Sequence, residues 1–485
     1  MHRALHIGEI LLEIFAHVNT VRNSSYQQDA FARKSLVALA ATCKTFYEPA
    51  MNELWAIMYG LTPLLGCVTR LYPVIYQNGH WKYSLFDFPS FKGIEPLSEN
   101  EGRQFLRHAA RVRVMYSRAS KGCYRLLSVL KCTVTCMFPR LLSLINSIPE
   151  CYSDIYLSPT LRRCNLSVTY PEMKVIATCC AALEHLSLDV DETIENELSL
   201  LSGCVRLCKR LVTLSCSPLD LAAWEHLSNL PTLTKVTIDR KKIYPSSSEL
   251  AESHFNFGPF LNLTALSFAV HTTAYAYIMA LMQNSDFPSL KQFTMRIDTL
   301  SWAEVEQVVR VLSQCKACQI LEQIEMHTYA SDVQDPPGRR SYLTHFCCFT
   351  QLRILRLTFP GCCIHLDNDL LLEIMSNRYQ TQGTITIRGL FAALRQCPHL
   401  YRLSLLMDAV NIDIDPMTES FQHTSLQEWI VQSTQVMDAE VVARIIFSML
   451  PCVDWIAHMS YDLPSAWPDV KRRLQSLHGD VDSET

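Results

Sequence analysis

The sequence predicts an α/β protein: a short N-terminal helical module, then an irregular solenoid of parallel strands backed by helices. Three observations predict it. The phrase Leu-x-x-Leu-x-apolar recurs, first as Leu183-Glu184-His185-Leu186-Ser187-Leu188, then from Leu211, Leu263, Leu290, Leu321, Leu352 and Leu400. Apolar residues at helical spacing fill several of the intervals. The first 60 residues do not follow the repeat and carry helical stripes instead. A phrase returning over a strand-plus-helix interval marks stacked units, each burying its apolar side against the next.

In the N-terminal module, Ile7, Ile10, Leu11, Ile14, Phe15 and Val18 form one apolar stripe. The polar stretch Asn19 to Arg33 reads as a loop. Leu36, Leu39, Ala40 and Cys43 make a second stripe, and Pro49 suits the first turn of a third helix that continues through Leu54, Trp55 and Met58. The segments Ile10–Phe15, Leu36–Phe46 and Ala50 with Leu54-Trp55, in this order, resemble an F-box. The continuation Leu61-Thr62-Pro63-Leu64-Leu65-Gly66-Cys67 and the run Phe105–Arg113 resemble the variant common in mushroom-forming fungi. One departure is Gly8 before Glu9, where the family usually has Pro. The resemblance implies a Skp-type adaptor as partner, with Leu5, Ile7, Ile10, Leu11, Ile14, Leu36, Leu39 and Phe46 as contacts or their immediate supports. A bundle of about 50 residues cannot bury so many apolar side chains alone.

Within each repeat phrase, alternation sends Leu186 and Leu188 inward and His185, Ser187 and Asp189 outward. Val305, Val308, Val309 and Leu312 have helical spacing, and Ser301-Trp302-Ala303-Glu304 reads as the capping box that starts that helix. Ile194, Leu198 and Leu201 suggest a second such helix, and Val441, Val442, Ile445, Ile446 and Met449 a third. One strand and one helix per unit resembles a leucine-rich-repeat horseshoe, with the Asn or Cys usual after the third apolar position mostly missing. The expected boundaries are a helical module over 1–60, a connector over 61–104, the solenoid over 105–460, and a C-terminal cap with acidic tail over 461–485. Segments Lys241–Ser248 and Ser331–Arg340 read as loops, and Gly479–Thr485 as a frayed end.

Apolar residues make up 49% of the 485-residue chain, so it is a folded protein. A formal charge of −4 favours neither nucleic acid nor an anionic membrane. No apolar run spans a bilayer and no secretory signal is read, which places the expected location in the cytoplasm or nucleus. The 20 cysteines then read as reduced, packed thiols. Cys315-Lys316-Ala317-Cys318 is the sole Cys-x-x-Cys, and His327, His345 and Cys347 do not complete a recognised zinc pattern. No Gly-x-Ser-x-Gly, His-Glu-x-x-His or phosphate-cradling loop appears, so neither catalytic residues, cofactor nor metal is expected. Arg103, Arg107, Arg111, Arg113 and Arg118 read as the solvated side of a helix over 99–111 capped by Ser98 and Glu101.

Aligning the strands gives an outward middle column of Ser187, Ser215, Thr237, Ser267, Thr294, Glu325, Arg356 and Ser404. Flanking columns contain His185, Lys235, Gln292, Arg296, Gln323, His327 and Arg402. The expected target face is Gln292, Arg296, Gln323, Glu325, His327, Arg356 and Arg402. The expected function is the target-recognition subunit of a Skp–cullin–F-box ubiquitin ligase, reaching the cullin through the adaptor. A leucine-rich scaffold acting outside any ligase is the alternative, and a divergent enzyme a third reading.

Overall fold

A computed structural model describes residues 7–20, 26–77, 80–81, 93–116, 121–128, 130, 136–145, 153–168, 182–190, 197–239, 258–328, 349, 351–358, 387–395, 400–405, 409, 412, 414, 421–432, 436–453, 455–459 and 466–482. The chain divides into two compact units, Met1–Ala223 and Trp224–Thr485. No helix among the described residues is long and apolar enough to cross a membrane.

The first unit opens with three helices: α1 (Gly8–Thr20), α2 (Tyr26–Thr42) and α3 (Lys44–Leu54). Leu11, Phe15, Leu36 and Ala50 are its buried core, with Val18, Leu39, Ala40, Phe46 and Leu54 packed around them. Phe46 meets Phe15 edge to face at 5.6 Å. Two expectations are corrected here. Helix α2 starts at Tyr26, inside the stretch read as a loop. Its Ala-, Gln- and Lys-containing start favours helix despite lacking an apolar stripe. Pro49 lies inside α3 rather than in its first turn. Extended Cys43 starts the helix early, at φ −159° and ψ 163°, so Pro49 removes an interior backbone bond. Cys43 thereby leaves the stripe assigned to the second helix.

Parallel strands follow the helices in the first unit. Ile57–Tyr59 pairs with Val114–Tyr116, then come Ser143–Ile145, Arg163–Val168, His185–Val190 and Thr213–Cys216. In the second unit Lys235–Asp239, Ala265–Val270, Gln292–Ile297, Gln323–Thr328, Ile354–Thr358, Arg402–Leu405, Glu428–Gln432 and Trp455–Met459 pair in sequence order, all parallel. In every recurrent phrase the second and third apolar positions lie on a strand that starts two residues after the first leucine.

Several strands lack the leucine phrase but keep its geometry with other apolar residues. Examples are Val112 with Met115, Leu161 with Cys164, Leu233 with Val236, Leu426 with Trp429 and Val453 with Ile456, all buried. At the start of most strands one carbonyl accepts two amide hydrogens from the next repeat. Glu322 O receives them from Arg353 N at 2.7 Å and Ile354 N at 3.0 Å, and Lys291 O from Glu322 N and Gln323 N at 2.8 and 2.9 Å. This row of shared carbonyls ties successive repeats together at the start of their strands.

Helices between strands bury their apolar rows. Trp302–Gln314 begins with the capping box of Ser301 and Glu304 and buries Val305, Val308, Val309 and Leu312. Glu197–Leu207 follows the second expected stripe, with Ile194 outside the described residues, and Ala439–Met449, capped by Asp438, follows the third. Aromatic contacts fill the core of the second unit: Trp224 against Phe260 at 6.0 Å, and Phe260 on Phe287 at 5.1 Å. The helix Trp467–Asp482 runs through most of the tail read as frayed, held by buried Trp467 packed edge-on against Trp429 at 5.9 Å. The loops read over Lys241–Ser248 and Ser331–Arg340 lie outside the described residues.

Candidate functional site: a helical face and a charged strand face

On the N-terminal helices, the expected adaptor residues separate into three sets. Leu11 and Leu36 are 2% and 0% exposed; they are core and cannot touch a partner. Leu39 and Phe46 are half-buried supports packed on that core. Ile7, Ile10 and Ile14 are 48%, 37% and 41% exposed. Spaced four apart, Ile10 and Ile14 share one side of α1, and Ile7, one residue ahead of its start, continues the line, which is an uncovered apolar row. Leu12, Phe31 and Val37 add exposed apolar surface on α1 and α2. Leu5 lies outside the described residues.

The basic run has a different role from the expected solvated helix face. The helix Glu99–Ala109 does start with the capping box of Ser98 and Glu101, and Arg103 sits 3.5 Å from Glu99 on its surface. The next three arginines reach back to α3. Arg107 donates to the Tyr47 hydroxyl at 3.4 Å. Arg111 Nη1 meets both Asn52 Oδ1 and Glu48 at 2.6 Å. Arg113 pairs with Glu53, whose side chain is 8% exposed. Trp55, read as continuing the third helix, stacks on His108 with ring centroids 4.6 Å apart. Burial, then Arg107 and Arg111, hold the His108 ring below its ordinary pKa. The arginines therefore join the helical module to the first repeat. Their i, i+4 spacing was visible in the sequence; the acidic partners lie about 60 residues away, beyond the reach of local patterns. Arg118 lies outside the described residues.

On the strand face of the second unit, register places the expected target residues in columns. Gln292, Gln323, Ile354, Arg402, Glu428 and Trp455 are successive partners, as are Thr294, Glu325, Arg356 and Ser404. Arg296 is opposite His327. Gln292 and Arg296 are exposed, and Gln323, His327, Arg356 and Arg402 half-buried.

Glu325 departs from the expectation of a wet strand position, because it is only 6% exposed. Arg356 Nη1 lies 3.3 Å from its Oε1. His327 Nε2 lies 3.7 Å from its Oε2, an ion-pair distance longer than a hydrogen bond. The His327 ring, with Arg356 and Arg296, holds the Glu325 carboxyl below the usual range although burial opposes this. Arg402 pairs with Glu428 in the neighbouring strand. Beyond these ion pairs, His327 Nε2, Arg356 Nε and Arg402 Nε are buried without a hydrogen-bond acceptor.

In the first unit, His185 Nδ1 meets Thr213 Oγ1 at 2.9 Å, and burial lowers its pKa. Cys315 and Cys318 are free thiols, and burial pushes Cys315 up to about 11. Among the described residues no group of three or more potential ligands is placed to hold a metal ion. His345 and Cys347 lie outside those residues.

No protein-family model matches this chain, and no curated protein matches it in sequence. Solved structures give loose likenesses. An internalin (inlF) from Listeria monocytogenes is 11% identical with a TM-score of 0.34, over 72% of this chain and 80% of that one. The APL1 leucine-rich repeat domain is 12% identical with a TM-score of 0.27, over 74% and 76%. A chain of the LRIM1/APL1C complex is 10% identical with a TM-score of 0.25, over 77% and 62%.

Proposed function

We propose that this chain is a non-enzymatic target receptor of a Skp–cullin–F-box type ubiquitin ligase. The N-terminal helices dock on a Skp-type adaptor, which carries the cullin, and the strand face holds a target protein. The receptor supplies proximity while other subunits carry the transfer chemistry. The reading belongs in the cytoplasm or nucleus, where such ligases work.

The observation that carries it is the uncovered row Ile7, Ile10 and Ile14, set on a helix whose other side already supplies the bundle core. An apolar row of this kind on a folded bundle is a docking anchor, and two or three such side chains can dominate an interface. Two features of this chain support the reading: the resemblance of the three helices to an F-box, and the ladder of paired parallel strands that follows. A scaffold working outside a ligase would use the strand face alone.

The test is capture of a purified Skp-type adaptor by the full chain and by Ile10→Asp and Ile14→Asp variants. Both positions are surface positions, so the variants keep the fold, as circular dichroism would verify. The expected result is binding by the full chain and at least a tenfold loss in each variant. No binding by the full chain, or equal binding by folded variants, overturns the ligase reading.

A further inference from the structure

We propose that the strand face of the second unit, centred on Arg296, Arg356 and Arg402, binds an acidic, extended segment of a partner protein. The proposal rests on that face being the target-reading surface and names the chemistry it reads.

The first argument is an imbalance of hydrogen-bonding groups. Arg296 is exposed and acts on Glu325 through its charge across neighbouring strands. Arg356 and Arg402 each pair with one carboxylate, Glu325 and Glu428. Even so, Arg356 Nε, Arg402 Nε and His327 Nε2 remain buried without an acceptor. The cluster therefore presents donors in excess, and its two carboxylates are already engaged. A ligand rich in acceptors complements it, and a basic ligand does not. Guanidinium groups take carboxylates through paired, charge-assisted hydrogen bonds.

The second argument is geometric. Arg296 and Trp455 lie on strands separated by five steps of the ladder. At ~4.8 Å per step this is ~24 Å across the strands, and the four-residue offset of Arg296 from the Trp455 column adds ~13 Å along them, a diagonal of ~27 Å, the length of about eight residues of extended chain. At the far end Trp455 is 46% exposed, in the same column as Arg402 and Glu428. A segment crossing the strands can lay carboxylates over the arginines and an apolar side chain on the indole. Glu325 and Glu428 interrupt the positive track, which disfavours a continuous polyphosphate backbone.

The third argument is contrast. The whole chain carries a formal charge of −4, yet this face gathers three guanidinium groups and one imidazole against two carboxylates. Local sign opposite to the net charge steers an acidic partner to this face.

The test uses the full chain and an array of fluorescein-labelled Asp- and Glu-rich peptides, each with one Leu at a varied position. The controls are their Asn and Gln counterparts and single-stranded DNA of matching length. Acidic members are expected to bind, with amide counterparts at least tenfold weaker. Arg296→Glu is expected to weaken binding at least tenfold and Arg296→Lys less, with the fold checked by circular dichroism. The proposal is overturned if no acidic member binds, if the amide peptides bind equally, if Arg296→Glu changes nothing, or if the DNA competes as well as the peptides. Adaptor capture is measured on the same samples. Its loss with peptide binding intact would remove the ligase reading and leave this proposal standing.

Discussion

Replacing Arg113 with Ala should destabilise the junction between α3 and the first repeat more than replacing Arg111 does. Arg111 looks the stronger candidate at first, because it holds two partners at 2.6 Å and its side chain is only 12% exposed. The partners decide otherwise. Glu48 is 61% exposed, so water replaces the guanidinium when Arg111 is cut back. Glu53 is 8% exposed, so removing Arg113 strips a partner from a carboxylate that water reaches poorly. Leaving a buried charge short of partners costs about 3–5 kcal/mol in a fully buried pair. Arg113 is itself 40% exposed, which brings the expectation down to about 2–3 kcal/mol. Arg111→Ala should cost about 1 kcal/mol, the ordinary net value of a hydrogen bond with an accessible partner. The chain has two units, so a single unfolding transition is a poor measure. Amide hydrogen exchange of Lys44–Leu54 reads the junction directly. In a double-mutant cycle, Glu53→Ala should recover part of the Arg113→Ala loss. If Arg111→Ala accelerates exchange as much as Arg113→Ala, or if the cycle shows no coupling, the desolvation argument fails.

Two further outcomes follow from packing and protonation. Leu11→Ala removes a side chain that is 2% exposed in the bundle core, so exchange in α1 to α3 should show a loss of about 2–5 kcal/mol; Ile10→Ala beside it should cost well under half as much. Glu101 is held at a pKa of about 2, chiefly by the Arg70 guanidinium at 2.7 Å and then by Ser98. Its folded pKa lies below the ordinary 4.5, so its stabilisation is complete above about pH 4.5 and is lost as the pH falls towards 2. Exchange of the helix Glu99–Ala109 should become faster through that window in the native protein, and Glu101→Gln should flatten the change; an unchanged profile in the variant would refute the assignment.

The repeat was legible because leucines at two fixed places on a strand leave a mark that survives a divergent sequence. All seven recurrent phrases lead into strands that carry their second and third apolar positions, and both capping boxes form. What escaped notice has one physical cause: the core asks for an apolar group of suitable volume, not for leucine. Met115, Cys164, Trp429 and Ile456 meet that demand and hide four strands from a leucine search; Val236 meets it too, on a strand that the outward columns already place through Lys235 and Thr237. On the candidate site, alternation placed Gln292, Arg296, Arg356 and Arg402 on the outward face. It could not separate Leu11 from Ile10, because a broad helical stripe contains both core and rim. Nor could it foresee that Glu325 would be buried. Arg356, 31 residues further along the sequence, lies beside it only because the strands stack in register.

The arrangement of α3 narrows where a partner can approach the first unit. Its polar residues Tyr47, Glu48, Asn52 and Glu53 are taken up by arginines of the following helix and strand. At its end Ala56 O accepts the amides of Arg113 and Val114, both at 2.8 Å, so the helix passes directly into the ladder. This face of the bundle is closed by the chain itself. The module's exposed apolar side chains Ile10, Leu12, Ile14, Phe31 and Val37 lie on α1 and α2, and Ile7 just ahead of α1. One side of the module is therefore bound to the repeat by side chains and backbone, and the greasy surface belongs to the other two helices. A partner gripping α1 and α2 would hold the first repeats through packed and hydrogen-bonded contacts rather than through a flexible tether. Under the proposed function a docked partner would therefore fix the orientation of the first repeats, and loosening Arg113 should uncouple the two without touching the isoleucine row.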